Sequence, residues 1–138
     1  MEIILILGIF KNIKKKKEPS KERNLSIEWP EHVINLDESN FEEFIKKYPL
    51  SVIDFWAPWC GPCKAMSPRI RRLSTIYKGK VAFGKINTQE NQTVAKKYKI
   101  MGIPHLGFFR YGKKISSSTG LKSVGDIKEI IDNMLKNS

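Results

Sequence analysis

From about Glu31 the chain alternates between short, densely apolar runs and longer stretches whose apolar residues recur every three or four positions. "HVINL" reads as a short strand. In "DESNFEEFIKKY", Phe41, Phe44 and Ile45 share one helical face, with Asp37 or Ser39 placed as cap. "LSVIDFWA" is an apolar run broken only by Asp54, the pattern of a central strand covered on both faces. A long helix is predicted from about Cys60 to Lys78, with Pro68 inside it removing a backbone donor and kinking it. "KVAFGKIN" predicts a third strand and "NQTVAKKYKI" a third helix. "HLGFFRYG" and "KKISSSTG" predict a hairpin turning at Tyr111-Gly112. The closing "SVGDIKEIIDNMLKN" is amphipathic through Val124, Ile127, Ile130, Ile131 and Met134. The order βαβαβαββα implies an α/β fold, a central mixed sheet flanked by helices on both faces. There is no internal repeat.

The first thirty residues follow another pattern. An apolar run, Ile3 to Phe10, precedes a lysine cluster at Lys11 and Lys14–Lys17. A bilayer-spanning helix needs about 20 apolar residues, so the run is too short to span. A secretory signal places its positive charge before the apolar run, and here Glu2 precedes while lysines follow. Three readings stay open: a strand or helix packed on the domain, a disordered or mis-assigned start, and a membrane-surface anchor. The last rests on the pairing of an apolar with a polybasic segment, the two signals peripheral binding requires. "KKKKEPSKERN" reads as a solvated linker. The chain therefore divides into an extension, residues 1–30, and a domain, residues 31–138.

At 138 residues and 41% apolar content, the chain can bury a core without cross-links. The net charge is +11, of which residues 1–30 carry +3, so +8 is spread over the domain. Such a surface favours acidic partners. No basic stretch is interleaved with aromatics in a recognised nucleic-acid motif, so no specific nucleic-acid partner is expected.

The chemistry concentrates in "DFWAPWCGPCK", which holds both cysteines, Cys60 and Cys63. A bridge between them closes too small a loop to restrain the unfolded chain much, which argues against a structural staple. As zinc ligands they would need two more, and the only histidines, His32 and His105, stand in unrelated contexts. Iron–sulfur binding lacks ligands too, so no metal site is assigned. A Cys-x-x-Cys within a βαβ pattern is the signature of reversible disulfide chemistry. Cys60 falls where a strand segment ends and a helix begins. The unpaired N–H groups and partial positive charge there stabilise a thiolate and lower its pKa. Cys63, one turn further in, is expected to be more buried. Cys60 then attacks a substrate disulfide and Cys63 resolves the mixed disulfide. Asp54, costly to ionise in its apolar strand, suits a proton acceptor for Cys63, directly or through a water. Lys85, in the neighbouring strand, is placed to moderate the shift; the plainer reading is a paired structural Asp–Lys.

Together "VIDFWAPWCGPCK", Pro68, the "GIP" of Gly102–Pro104, the "FFRYG" hairpin and the "TGL" of Thr119–Leu121 resemble thioredoxin in order and spacing, over about residues 31–138. The resemblance implies the thioredoxin fold and a protein-disulfide reductase. Its attacking and resolving cysteines would be Cys60 and Cys63, its buried acid and accompanying lysine Asp54 and Lys85. It implies a cis bond at Ile103-Pro104 holding the Ile103 backbone out to pair with an extended substrate. Trp59, Gly61, Pro62, Gly102 and Gly120 would line a shallow apolar groove around Cys60. The Gly-Pro between the cysteines resembles the reducing members of the family. The expected cofactor is none beyond the redox-active Cys60–Cys63 disulfide. The expected partners are disulfide-containing clients and a thioredoxin reductase as electron donor. A cytoplasmic monomer is expected, with weak membrane-surface contact through residues 1–17 as the alternative. A tethered protein with dedicated clients and a non-catalytic basic binding module are the rival functions. Three departures stand out. His105 takes a place often held by threonine, either as a protonated imidazole lowering the Cys60 pKa or as a plain surface residue. "INTQEN" lacks the usual acidic residues after Lys85, and Met1–Pro30 exceeds a minimal thioredoxin.

Overall fold

The computed structural model describes residues 27–137. The readings made for residues 1–17 and for the linker lie outside the described residues. Nine elements follow in the order expected: β1 (Ile34–Leu36), α1 (Phe41–Lys47), β2 (Ser51–Trp56), α2 (Gly61–Ile76), β3 (Ala82–Asn87), α3 (Gln92–Lys97), β4 (His105–Arg110), β5 (Lys113–Thr119) and α4 (Val124–Lys136). The strands form one sheet in the order β1-β3-β2-β4-β5. β1, β3 and β2 run parallel, while β4 is antiparallel to both β2 and β5.

β2 and β4 lie inside the sheet, which explains their unbroken apolar runs: both of their faces are covered. On one face, Met66, Ile70 and Leu73 of α2 and Ile127, Ile131 and Met134 of α4 pack over Val52, Phe83, Leu106 and Phe108. On the other, Phe41, Phe44 and Ile45 of α1 and Val94 of α3 pack over Ile53, Phe55, Ile86 and Phe109. Ile27 and Trp29, from the segment assigned to the extension, pack against this second core.

Local chemistry sets the boundaries. The Asp37 carboxylate accepts the Ser39 and Asn40 N–H groups at 2.8 and 3.2 Å, while Asn40 Oδ1 accepts the Asp37 N–H at 2.8 Å. This reciprocal pair closes the turn leading into α1, whose N-cap is Asn40 without a side-chain cap bond, so neither Asp37 nor Ser39 is the cap itself. Pro68 lies inside α2, which continues across it to Ile76. α3 is shorter than expected. Lys99 adopts the left-handed region (φ 54°) and turns the chain back, so that the Ile100 N–H donates to the Ala95 carbonyl at 2.9 Å. The hairpin turns on Tyr111 (φ 45°) and Gly112 (φ 86°), the two left-handed residues of a type I′ connection. Ser123 caps α4 by accepting the Asp126 N–H at 3.0 Å. No helix among the described residues is long and apolar enough to cross a membrane.

Candidate active site

β2 ends at Trp56, Ala57-Pro58-Trp59 makes the bend, and α2 starts with Cys60 as its N-cap. The Cys60 backbone is extended (φ −91°, ψ 108°), which aims its side chain back over the first turn, and Sγ accepts the Cys63 N–H at 3.2 Å. Pro62 occupies the first turn, where its missing N–H has no intrahelical partner to lose. The turn contains no acidic residue, so the positive end of the helix acts on Cys60 without opposition. Cys60 and Cys63 form a disulfide, their Cα atoms 5.3 Å apart. Both are covered, at 5% and 3% exposure, and pack with Ala57, Trp56 and Ile103. The expected contrast between an open Cys60 and a buried Cys63 is therefore slight in the oxidised protein, because the bond draws both sulfurs into one apolar cluster. Among the described residues no cluster of side chains could hold a metal ion.

Asp54 lies in β2, opposite Lys85 in the parallel β2–β3 register. It is 2% exposed and its Oδ1 has no hydrogen-bond partner. Burial pushes its pKa up to about 7, and the Lys85 charge works against that rise. Among the described residues the two close no direct ion pair; the Lys85 ammonium sits over the Trp56 ring at 5.7 Å from its centroid. Asp54, Trp56, Cys63, Ser67 and Lys85 line a cavity of about 150 Å³. Two orphaned polar atoms, Asp54 Oδ1 and Trp56 Nε1, belong to residues of its walls, and the space is roomy and polar enough to admit water. A second cavity, about 350 Å³, also reaches Asp54, between Asn35, Arg71 and Thr75. A proton leaving Cys63 thus has an acceptor nearby whose affinity matches neutral pH. Trp56 and Ser67 are wall residues that the sequence reading does not single out. Ser67 carried a signal, lying one helical turn beyond Cys63 on the same face.

The other wall comes from the β4 entry. Ile103-Pro104 is cis, and Ile103 packs against the cysteine cluster. The Gly120 N–H donates to the Pro104 carbonyl at 2.8 Å. Gly102 lies so close to Thr119 that an added Cβ would stand 3.1 Å from its methyl. Trp59 (72% exposed), Met101 (93%) and Leu121 (42%) project from the loops nearby. Gly61 faces open space. Trp59, Gly61 and Pro62 thus adjoin Cys60 along the chain, while Ile103 touches the cysteine cluster and Gly102, Pro104 and Gly120 adjoin Ile103 in the loops around the β4 entry.

His105 matches neither expectation. It is buried, on the sheet face that carries Phe55, with the two rings 5.7 Å apart. Nδ1 lies 2.9 Å from Thr119 Oγ1 and Nε2 lies 2.9 Å from Lys114 Nζ. An ammonium only donates, so Nε2 accepts and Nδ1 carries the proton given to Thr119. Desolvation, helped by the Lys114 charge, brings the imidazole down to about 4. It is neutral at physiological pH and offers Cys60 no positive charge.

These features have close counterparts in known proteins. The family model described as Thioredoxin matches residues 32–133. The chain is 34% identical over 103 residues to a thioredoxin of Staphylococcus haemolyticus, covering 75% of this chain and 98% of that one. It is 35% identical to a thioredoxin of Pseudomonas aeruginosa, covering 74% and 95%. It is also 38% identical to the M-type chloroplastic thioredoxin of Spinacia oleracea, covering 75% of this chain and 58% of that one. Among solved structures, a mutant thioredoxin of Halobacterium salinarum superposes with a TM-score of 0.73 at 26% identity, covering 78% of this chain and 95% of that one. A redox-competent cysteine pair at a helix mouth, on this sheet and with this sequence, makes the chain a member of the thioredoxin family, the thiol–disulfide oxidoreductases.

Proposed function

We propose that the chain reduces protein disulfides in two steps and that each site residue has a separate part. The Cys60 thiolate attacks one sulfur of a client disulfide; a bond forms between Cys60 and that sulfur, and the other client sulfur leaves as a thiolate. Asp54, as carboxylate, takes the Cys63 proton through water in the cavity they share. The Cys63 thiolate then attacks Cys60 Sγ, releasing the second client thiolate and leaving the Cys60–Cys63 disulfide. Two electrons pass to the client. A thioredoxin reductase returns them. Trp59, Gly61, Pro62, Gly102, Ile103, Pro104 and Gly120 form the bed on which an extended client segment lies. Lys85 restrains the rise in the Asp54 pKa.

The observation that supports this most directly is the joint position of Cys60 at the α2 N-terminus and Asp54 on the cavity that reaches Cys63. The reading further takes residues 31–138 as the working domain, the protein as a cytoplasmic monomer, and nucleic acid as no specific partner. Fractionation of the full-length chain decides between that setting and membrane association through residues 1–17. The central test is trapping. Cys63→Ser is expected to accumulate mixed disulfides on Cys60 in lysate, while Cys60→Ser turns over nothing and traps nothing. Equal adduct levels in the two variants would remove the two-step mechanism.

A further inference from the structure

Just upstream of Ile103 the chain borders a second hollow. Between α3 and the turn that follows lies a cavity of about 510 Å³, lined by Gln92, Ala95, Lys96, Lys99, Ile100 and Met101. Its floor is apolar: Ala95 and the partly buried Ile100, which packs on the core. Its outer lip is Met101, at 93% the most exposed large apolar side chain described. Two residues on, Ile103 touches the cluster containing Cys60. The cavity is therefore continuous in sequence with the wall beside the reactive sulfurs.

Its charge is one-sided. Lys96 and Lys99 flank it and have no ion-pair partner among the described residues, whereas Lys97, which is not among the lining residues, is held by Glu42 at 2.7 Å. Lys99, exposed in its left-handed turn, belongs to the rim. Elsewhere in the chain exposed Leu121 is likewise followed by a basic residue, half-buried Lys122. A second copy of this chain, at +11, and its own lysine-rich residues 11–17 carry the wrong sign to settle there.

We propose that this groove is a client-selecting subsite, taking an apolar side chain between Ile100 and Met101 and carboxylates at Lys96 and Lys99. The chain then prefers disulfides set in acidic, apolar segments. The inference rests on the disulfide-reductase reading and names the substrate class of that same site. Specificity arises at the rim because exposed charges steer and orient the approaching segment more than they tighten it.

The test uses the full-length chain and three synthetic peptide disulfides identical except for flanks: leucine with glutamate, leucine with lysine, and leucine with serine. Hydroxyethyl disulfide serves as a client too small to reach the groove. The glutamate peptide is expected to show a kcat/KM about three- to tenfold above the lysine peptide, a gap that narrows as salt is raised. Charge reversal in the Lys96→Glu/Lys99→Glu double variant inverts the preference, and Met101→Ser lowers kcat/KM for all three peptides. Neither variant changes the rate with hydroxyethyl disulfide. Equal rates for the three peptides, or a preference that survives charge reversal, would overturn the subsite while leaving the reductase reading intact. Failure to reduce hydroxyethyl disulfide at all would instead strike at the reading beneath it.

Discussion

Asp54 shows how much one side chain's surroundings decide. The residue interrupts an apolar strand, so its cost is readable from sequence; its usefulness is not. Only the structure shows that Asp54, with its orphaned Oδ1, belongs to the wall of the cavity that reaches Cys63, and that Lys85 stops short of pairing with it. Because the acceptor must be ionised, the rate of Cys63 attack is expected to rise with pH through about 7 in the wild-type protein, the value to which burial lifts Asp54. Asp54→Asn should slow this step by roughly tenfold or more and erase that inflection. Single-turnover reduction of a preformed mixed disulfide measures both. His105 is the opposite case. Its identity suggests a charge near Cys60, but strand alternation turns it to the other face, where desolvation keeps it neutral.

At the scale of elements, the β4–β5 hairpin carries two constraints invisible to a hydrophobic pattern. One is the turn. Gly112 at φ 86° leaves no room for a side chain, since a Cβ there would stand 2.7 Å from Lys46 Cγ on α1. Gly112→Ala should destabilise by about 1–2 kcal/mol, read as a lowered denaturation midpoint with an unchanged m-value. The other is the pairing of His105 with Thr119, whose methyl lies against Gly102 beside the cis bond. Thr119→Val keeps the shape and loses the hydroxyl, leaving Nδ1–H buried without an acceptor. A cost of about 1–3 kcal/mol is expected, largely recovered in Thr119→Ser, with thermal melts of the two variants as the comparison.

For the whole molecule, two buried groups tilt the pH dependence of stability in opposite directions. Asp54 titrates near 7 when folded and near 3.8 when unfolded. Its cost is absent below the lower value, grows as pH rises, and is complete above 7, on the order of 4 kcal/mol. His105 titrates near 4 when folded against 6.5 unfolded, so its penalty is absent above 6.5 and grows as pH falls. Between these values the slopes oppose each other; above 6.5 only Asp54 acts, and stability should decline. Asp54→Ala is expected to remove that decline, gaining most over wild type at about pH 8 and least at about pH 4. Urea melts across the range test the sign. An advantage for the variant that grew toward acid pH would contradict the assignment.

Sequence alone determined the order of elements, the covered central strands, the cysteine pair at a helix mouth and the buried acid behind it. Each follows from local physics: period-two and helical patterning, turn chemistry, and the cost of a carboxylate among apolar neighbours. The type I′ turn at Tyr111-Gly112 and the α4 stripe are legible for the same reason. What required tertiary structure was everything set by residues distant in sequence. Whether Lys85 pairs with Asp54, which face His105 takes, and where α3 ends depend on strand register and on a left-handed turn at a lysine. The groove beside Met101 belongs with them, since its floor and rim are brought together only by the turn after α3. Local periodicity carries no information about which distant side chains share a cavity, and the cavity between Asp54 and Cys63 is where the proposed proton transfer would take place.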